Sequence, residues 1–186
     1  MNTYVVLLRG INVGGKNKLA MAELKAHLED LGFENVKTFI QSGNVILQSK
    51  LGAKTITEKI ETSLPKKFKL DSALIKTLVL TDKQLREVIQ KKPKGFGDQP
   101  DKYYSDVIFL MDLKSADAMK VFKPREGVDA IWEGDLAIYS QRLSAKRTQS
   151  RLSKIVGTPF YKSMTIRSWH TTTKLLSLLE ELEKAS

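Results

Sequence analysis

The stretch GINVGGKN, residues 10–17, directly follows the apolar run TYVVLLR, and its Gly10, Gly15 and Lys16 fit the spacing G-x-x-x-x-G-K. In that pattern backbone amides cradle phosphates while the lysine reaches the outer ones. The next position should carry a hydroxyl for magnesium, and here it is Asn17. DVIFLMD, ending at Asp112, offers the acid that a nucleotidase also needs near the metal. Two features weigh against that chemistry. Asn17, Lys18, Leu19 and Ala20 separate the glycines from the first helical pattern, so the loop does not run straight into a helix whose free amides face the phosphate. The next strands read as a hairpin, whereas a nucleotidase core is a parallel sheet with helical crossovers. What remains is a glycine-rich loop beside Arg9, Lys16 and Lys18, in which Gly14 and Gly15 permit positive φ and the amides are expected to form an anion nest.

A second cluster lies in TIRSWHTTTK, residues 165–174. Thr171, Thr172 and Thr173 stand where a helix begins, so one hydroxyl is expected to cap it and the others to face outward beside free amides. Arg167, His170 and Lys174 supply polar and charged groups around them, and Trp169 is expected to pack between sheet and helix. Catalytic constellations are thin. The two histidines are His27, expected at the surface or boundary of a helix, and His170. No set of His and acid has metal-ligand spacing, and no G-x-S-x-G elbow or deaminase signature occurs, so no catalytic residue, metal or cofactor is assigned. Ser42 in QSGN reads as a turn residue rather than a nucleophile.

Hydrophobic periodicity supplies the elements that must position these residues. TYVVLLR (3–9) is a short β-branched run, hence a buried strand. MAELKAHLEDLGF sets Met21, Leu24, Leu28 and Leu31 at helical spacing and stops at Gly32. VKTFIQSGNVILQ places two strands around Ser42, Gly43 and Asn44, an antiparallel hairpin. TITEKIETSL is a helix with a capping box of Thr55 and Glu58, and SALIKTLVL is a strand. The order β-α-β-β-α-β is that of a ferredoxin-like unit. Thr81 and Gln84 form a second capping box at DKQLREVIQ, and KKPKGFGDQPDK follows as a linker. Beyond it come the strand DVIFLM, the helix SADAMKVF, the hairpin VDAIWEGDLAIYS turning at Glu133 and Gly134, the basic helix AKRTQSRLSKIV and the strand MTIRSW. TTTKLLSLLEEL adds a final amphipathic helix. The sequence therefore predicts an α+β fold, an α/β plait of two tandem ferredoxin-like βαββαβ units with antiparallel sheets, 1–92 and 93–186, plus the C-terminal helix. Such sheets often bind RNA through aromatics on their central strands, but Tyr4 is the only aromatic on TYVVLLR and NVILQS, and the RNP1 pattern is missing.

Charge points to a partner. The formal net charge is +10, from 31 Lys and Arg against 21 Asp and Glu, and no acid occurs between Asp135 and Glu180. A one-sign surface concentrates counter-charge, so a phosphate-bearing ligand or nucleic acid is the natural inference. The absence of cysteine removes thiolate nucleophiles, disulfides and cysteine metal sites. The N-terminus lacks a secretory signal pattern and no apolar run approaches the roughly 18 residues of a spanning helix, so a cytoplasmic location without membrane contact is expected.

LLRGINVGGKNK, IQSGNVI and TIRSWHTTTKLL, in that order, resemble the bacterial family catalogued as domain of unknown function 1697, over essentially the whole chain. That family is associated with tandem ferredoxin-like units and has no established activity, so the resemblance implies a fold and no chemistry. Its motif positions fall on Arg9, Gly10, Asn12, Gly14, Gly15 and Lys16, then on Gln41, Ser42, Gly43 and Asn44, and last on Arg167, Trp169, Thr171 and Lys174. The family pattern R-N-W-N-T departs here, with Ser168 and His170 in place of the two amides. Polar, loop-borne motifs imply a shared ligand site. The function expected is binding of nucleic acid or a nucleotide-like metabolite through these positions together with His170. The alternatives are an enzyme of unrecognised type with His170 exchanging protons in the same pocket, or a basic protein-interaction module.

Overall fold

The computed structural model describes residues 1–185. The chain divides into two compact units, one formed by Met1–Leu85 with the chain from Leu175 onward, the other by Arg86–Lys174.

The first unit runs β1 (Asn2–Leu8), α1 (Met21–Asp30), β2 (Glu34–Phe39), β3 (Asn44–Ser49), α2 (Ala53–Lys67) and β4 (Thr77–Thr81), after which α3 (Asp82–Gln90) begins. Its four strands lie in the order β2-β3-β1-β4, and every neighbouring pair is antiparallel. β1 is buried from Thr3 to Leu8 on both faces, which is why its apolar run does not alternate and why it sits inside the sheet. Tyr4, Val6 and Leu8 share one face with Val45, Leu47 and Val79, and α1 and α2 close over them with Leu24, Leu28, Ile56, Ile60 and Leu64.

Local signals held in part. Thr81 and Gln84 form the expected box, with the Thr81 N–H donating to Gln84 Oε1 (2.9 Å) and the Gln84 N–H to Thr81 Oγ1 (3.2 Å). The box expected at Thr55 and Glu58 does not form. α2 starts earlier, with Gly52 in the capping position and no side-chain cap, so Thr55 lies inside the first turn. The strand expected over 72–80 shortens to β4, because residues just before it bond to the glycine loop. His27 is buried rather than superficial: it faces α2, its Nε2 lies 2.9 Å from Ser63 Oγ, and its ring meets Phe68 edge-on at 5.4 Å.

The second unit runs β5 (Tyr103–Leu110), α4 (Ser115–Met119), β6 (Asp129–Glu133), β7 (Ala137–Leu143) and β8 (Met164–Ser168), followed by the first turn of α5 (Trp169–Ala185). Its antiparallel order is β6-β7-β5-β8, the same sequence of positions as in the first sheet. Two expectations change here. AKRTQSRLSKIV is not an α-helix; the crossover from β7 to β8 is three 3₁₀ turns, Ser144–Gln149, Leu152–Gly157 and Pro159–Ser163. Serines, Gly157 and Pro159 disfavour a continuous helix. The break is pinned where Ser150 turns extended (φ −60°, ψ 144°) and the next N–H, of Arg151, donates to Asp129 Oδ2 at 2.9 Å. Leu152 and Ile155 still anchor the crossover against Ile108, Ile138 and Met164.

The expected linker is also structured. Phe96, in its middle, is fully buried and meets Trp132, Tyr139 and Trp169 edge-on at centroid distances of 6.0, 5.3 and 5.3 Å. The segment therefore contributes the centre of an aromatic cluster in the second unit.

Burial, and then the charge of Lys67, hold the His27 imidazole below its ordinary value of 6.5, with Asp30 acting in the opposite sense. A histidine kept neutral by the fold stabilises it fully above that value, and the contribution is lost as pH falls from there through the lower folded-state value. Urea denaturation of His27→Gln is expected to show a shallower loss of stability between about pH 7 and pH 5 than the parent chain. Parallel curves would show that His27 carries none of the acid sensitivity.

Candidate functional site

The glycine loop connects β1 to α1, and its shape follows from two asparagine side chains. Asn12 Nδ2 donates to the carbonyls of Leu19 and Gln41, both at 2.8 Å, while its Oδ1 accepts the Leu19 N–H at 2.8 Å. Asn17 Nδ2 donates to Gly10 O (2.9 Å) and Ser72 Oγ (3.0 Å), and its Oδ1 accepts the Ser72 N–H at 2.9 Å. Asn12 and Asn17 both have positive φ, as do Gly10, Gly14 and Gly15. Asparagine tolerates the left-handed region better than other side chains, so the motif's mixture of Gly and Asn is the mixture this backbone requires.

This geometry differs from a phosphate cradle. Gly14 (φ +58°) and Gly15 (φ +76°) are left-handed in succession, and the Lys16 N–H returns to Val13 O at 3.0 Å, which is a tight hairpin turn rather than the alternating pair of an anion nest. The Asn12 N–H bonds Asn17 O at 3.1 Å, and the Asn17 N–H is taken by the Asp71 carboxylate at 2.6 Å. Asp112, the tempting metal ligand, has φ +53° in the turn after β5. Lys16 and Lys18 nevertheless stand exposed on the loop, with Arg9 half-buried beside it.

The QSGN turn between β2 and β3 docks onto this loop. Besides the Asn12 bond to Gln41 O, the Leu8 N–H donates to Gly43 O at 2.8 Å. A Cβ on Gly43 would lie 2.8 Å from Ile11 Cδ1 and 2.9 Å from Leu8 Cβ, and its φ is +78°, so glycine is required there. Asn44, fully buried, donates through Nδ2 to Phe39 O (3.1 Å) and Ser42 Oγ (2.9 Å). The first two motif segments thus converge, held by backbone and amide bonds, with Gln41 exposed at the rim.

The third segment belongs to the second unit. Ser168, not Thr171, caps α5: its Oγ accepts the Thr171 N–H at 3.1 Å. Serine is among the residues favoured at this position. Nor do the other threonines face outward as expected. Thr172 Oγ1 donates to Ser168 O, and Thr173 Oγ1 to Trp169 O and His170 O, the back-bonding that satisfies hydroxyls within a helix. Arg167 is buried on β8, where Nη1 donates to Thr165 Oγ1 (3.0 Å) and Ile166 O (2.8 Å), and burial lowers its pKa to about 10. His170 is exposed and Lys174 half-buried.

Trp169 and His170 line a cavity of about 330 Å³ whose other walls include residues that sequence reasoning missed: Gly97, Tyr103, Tyr104 and Asp106. The cavity exists because β5 is longer than β8. Their register ends at Asp106↔Ser168, leaving Tyr103, Tyr104 and Ser105 without a partner on that side. A Cβ on Gly97 would overlap the Cδ1 and Nε1 edge of the Trp169 indole, so the glycine lets the ring lie against the wall. Burial raises the Asp106 carboxyl above the usual carboxylate value, and Arg142, 3.7 Å away, opposes that shift. The legible signal was its phase: Asp106 lies two residues before core-facing Ile108 on one strand.

The chain belongs to the family described as "Protein of unknown function (DUF1697)", which matches residues 1–139. The glycine loop and the QSGN turn fall inside that match, and residues 165–174 lie beyond it. Among solved structures the chain is similar to the conserved bacterial protein SP0830 from Streptococcus pneumoniae, at 27% identity and a TM-score of 0.76, over 96% of this chain and 98% of that one. No curated protein matches. No helix among the described residues is long and apolar enough to cross a membrane.

Replacing Asn17 with Thr supplies the hydroxyl that a phosphate loop would carry, yet removes three bonds that close this one. Asn17→Thr and Asn12→Ala are each expected to cost about 2 kcal/mol in urea denaturation, and Asn17→Thr to gain no nucleotide hydrolysis. A stable Asn17→Thr variant that turns over a nucleotide would restore the phosphate-loop reading.

Proposed function

We propose that this protein binds single-stranded nucleic acid on the second unit, along the crossover between β7 and β8. The observation that carries this is a run of five exposed cations on that crossover, Lys146, Arg147, Arg151, Lys154 and Lys162, none of them ion-paired to a carboxylate among the described residues. Three short turns present them, anchored by Leu152 and Ile155. Exposed cations without acidic partners attract a polyanion and release its counterions on binding. Tyr104, 45% exposed, and the cavity beside it add aromatic surface in the same unit, which single strands use through stacking. A phosphate-bearing metabolite offers fewer charges and fits this extended surface less well.

The same reading includes the fold. Both strand orders are those of the ferredoxin-like βαββαβ plan, and we take the chain as two such units in tandem, the second with its last helix replaced by 3₁₀ turns. In the first unit, Lys16 and Lys18 on the glycine loop supply a smaller cationic patch. The loop's glycines and amides shape the turn rather than hold phosphate.

Fluorescence anisotropy of a labelled random single-stranded RNA, titrated over a range of salt, tests this. Five phosphate contacts predict a slope of log affinity on log salt of about −3.5. The double variant Lys146→Ala/Arg147→Ala should flatten that slope by about 1.4, and Lys16→Ala by half that or less. Absence of binding at low salt, or binding indifferent to the crossover substitutions, would overturn the proposal.

A further inference from the structure

The cavity lined by Trp169, Tyr104 and Asp106 is chemically unlike the surface around it. The second unit carries seventeen Lys and Arg against ten Asp and Glu, yet this cavity presents a carboxylate and no cation on its walls. The Asp106 carboxylate accepts no hydrogen bond among the described residues, and its one charged neighbour, Arg142 Nη2, stays at 3.7 Å. That guanidinium is drawn toward the Tyr104 ring, 5.6 Å from its centroid. Trp169 is backed edge-on by Phe96, which holds the indole in place. A half-buried carboxylate with unused acceptors, in a cavity that Tyr104 and Trp169 also line, asks for a planar group with hydrogen-bond donors on one edge.

We propose that this cavity receives an unstacked guanine base of the bound strand, an inference that rests on the single-strand reading above. An ionised carboxylate offers acceptors only, side by side. Guanine answers with N1–H and N2–H₂, two adjacent donors, whereas adenine and cytosine each put one ring acceptor beside their amine and uracil carries a single donor between two carbonyls. The volume, about 330 Å³, is ample for one base. A cationic side chain of a protein partner would satisfy Asp106 as well, but the basic crossover repels such a partner. The crossover starts next to the strand that lines the cavity: the Ser144 N–H donates to Lys102 O at 2.9 Å, adjacent to the cavity residue Tyr103. Base reading and phosphate holding are then separate jobs of one unit, as in other single-strand binders.

Neutral nucleosides test the cavity without the phosphate contacts. The indole N–H resonance of Trp169, distinguished from that of Trp132 by Trp132→Phe, is followed while guanosine, adenosine, cytidine and uridine are added separately to the full chain. Guanosine should shift that resonance and saturate, with an affinity about tenfold above the others. Asp106→Asn exchanges one acceptor for a donor, and should remove the guanosine preference and favour adenosine or cytidine. Tyr104→Ala, a change at an exposed position, should weaken guanosine while leaving the rest of the spectrum unchanged. No response to guanosine, an equal response to all four, or an unaltered preference in Asp106→Asn would each overturn the inference. RNA binding that persists through Lys146 and Arg147 while nucleosides fail sinks the cavity alone; guanosine binding without RNA binding sinks the single-strand reading alone.

Discussion

Two side-chain amides, those of Asn12 and Asn17, do in the first unit what backbone pairing does elsewhere. The connection from β1 to α1 is twelve residues with no regular structure beyond one bridge, and such a loop has more backbone donors and acceptors than it can pair by itself. Asn12 ties it to the start of α1 and to the β2–β3 turn; Asn17 ties it to the segment before β4. Three separate stretches of sequence are thereby fixed over the end of one sheet. Gly43 can then approach Ile11 closely enough to exclude any Cβ. The density of Gly and Asn in this motif follows from that requirement, and it needs no ligand to explain it.

The second unit repeats the strand order under different constraints. Its crossover is not a regular helix; among the described residues Leu152 and Ile155 are its buried hydrophobes before β8, with Phe160 and Tyr161 partly buried against the same core. Polar groups occupy the remainder. Asp129 receives the N–H groups of Arg125 and Arg151, both at 2.9 Å, and these bonds hold its carboxyl below the usual carboxylate value against the cost of burial. An acid at that place ties the loop before β6 to the break in the crossover, and so presents the cationic turns without neutralising them.

Much of the frame was legible and the site was less so, for reasons that particular residues make plain. β1, the β2–β3 hairpin and the Thr81–Gln84 box are set by contacts close in sequence, and all three are where periodicity and turn chemistry place them. The crossover failed because apolar spacing in AKRTQSRLSKIV fits a helix, while Asp129, some twenty residues earlier, decides the backbone at Arg151. Phe96 lay hidden for a similar reason. Glycines and prolines around it signal an exposed linker, yet a single aromatic residue fully buried against three others outweighs that local signal. Arg167, expected to supply charge to a ligand site, is enclosed by the fold on β8, a burial that its charged type gives no local signal of.

Position 168 sets where α5 begins. Its hydroxyl accepts the Thr171 N–H, the bond a serine makes at a helix start. The rest of the segment then follows from where α5 begins. With the cap at 168, Trp169 falls at the first helical position against Phe96, and β8 ends three residues short of the start of β5. The cavity is the space left by that early ending. Its chemistry is therefore decided by residues of β5, Tyr104 and Asp106, rather than by the motif that opens it.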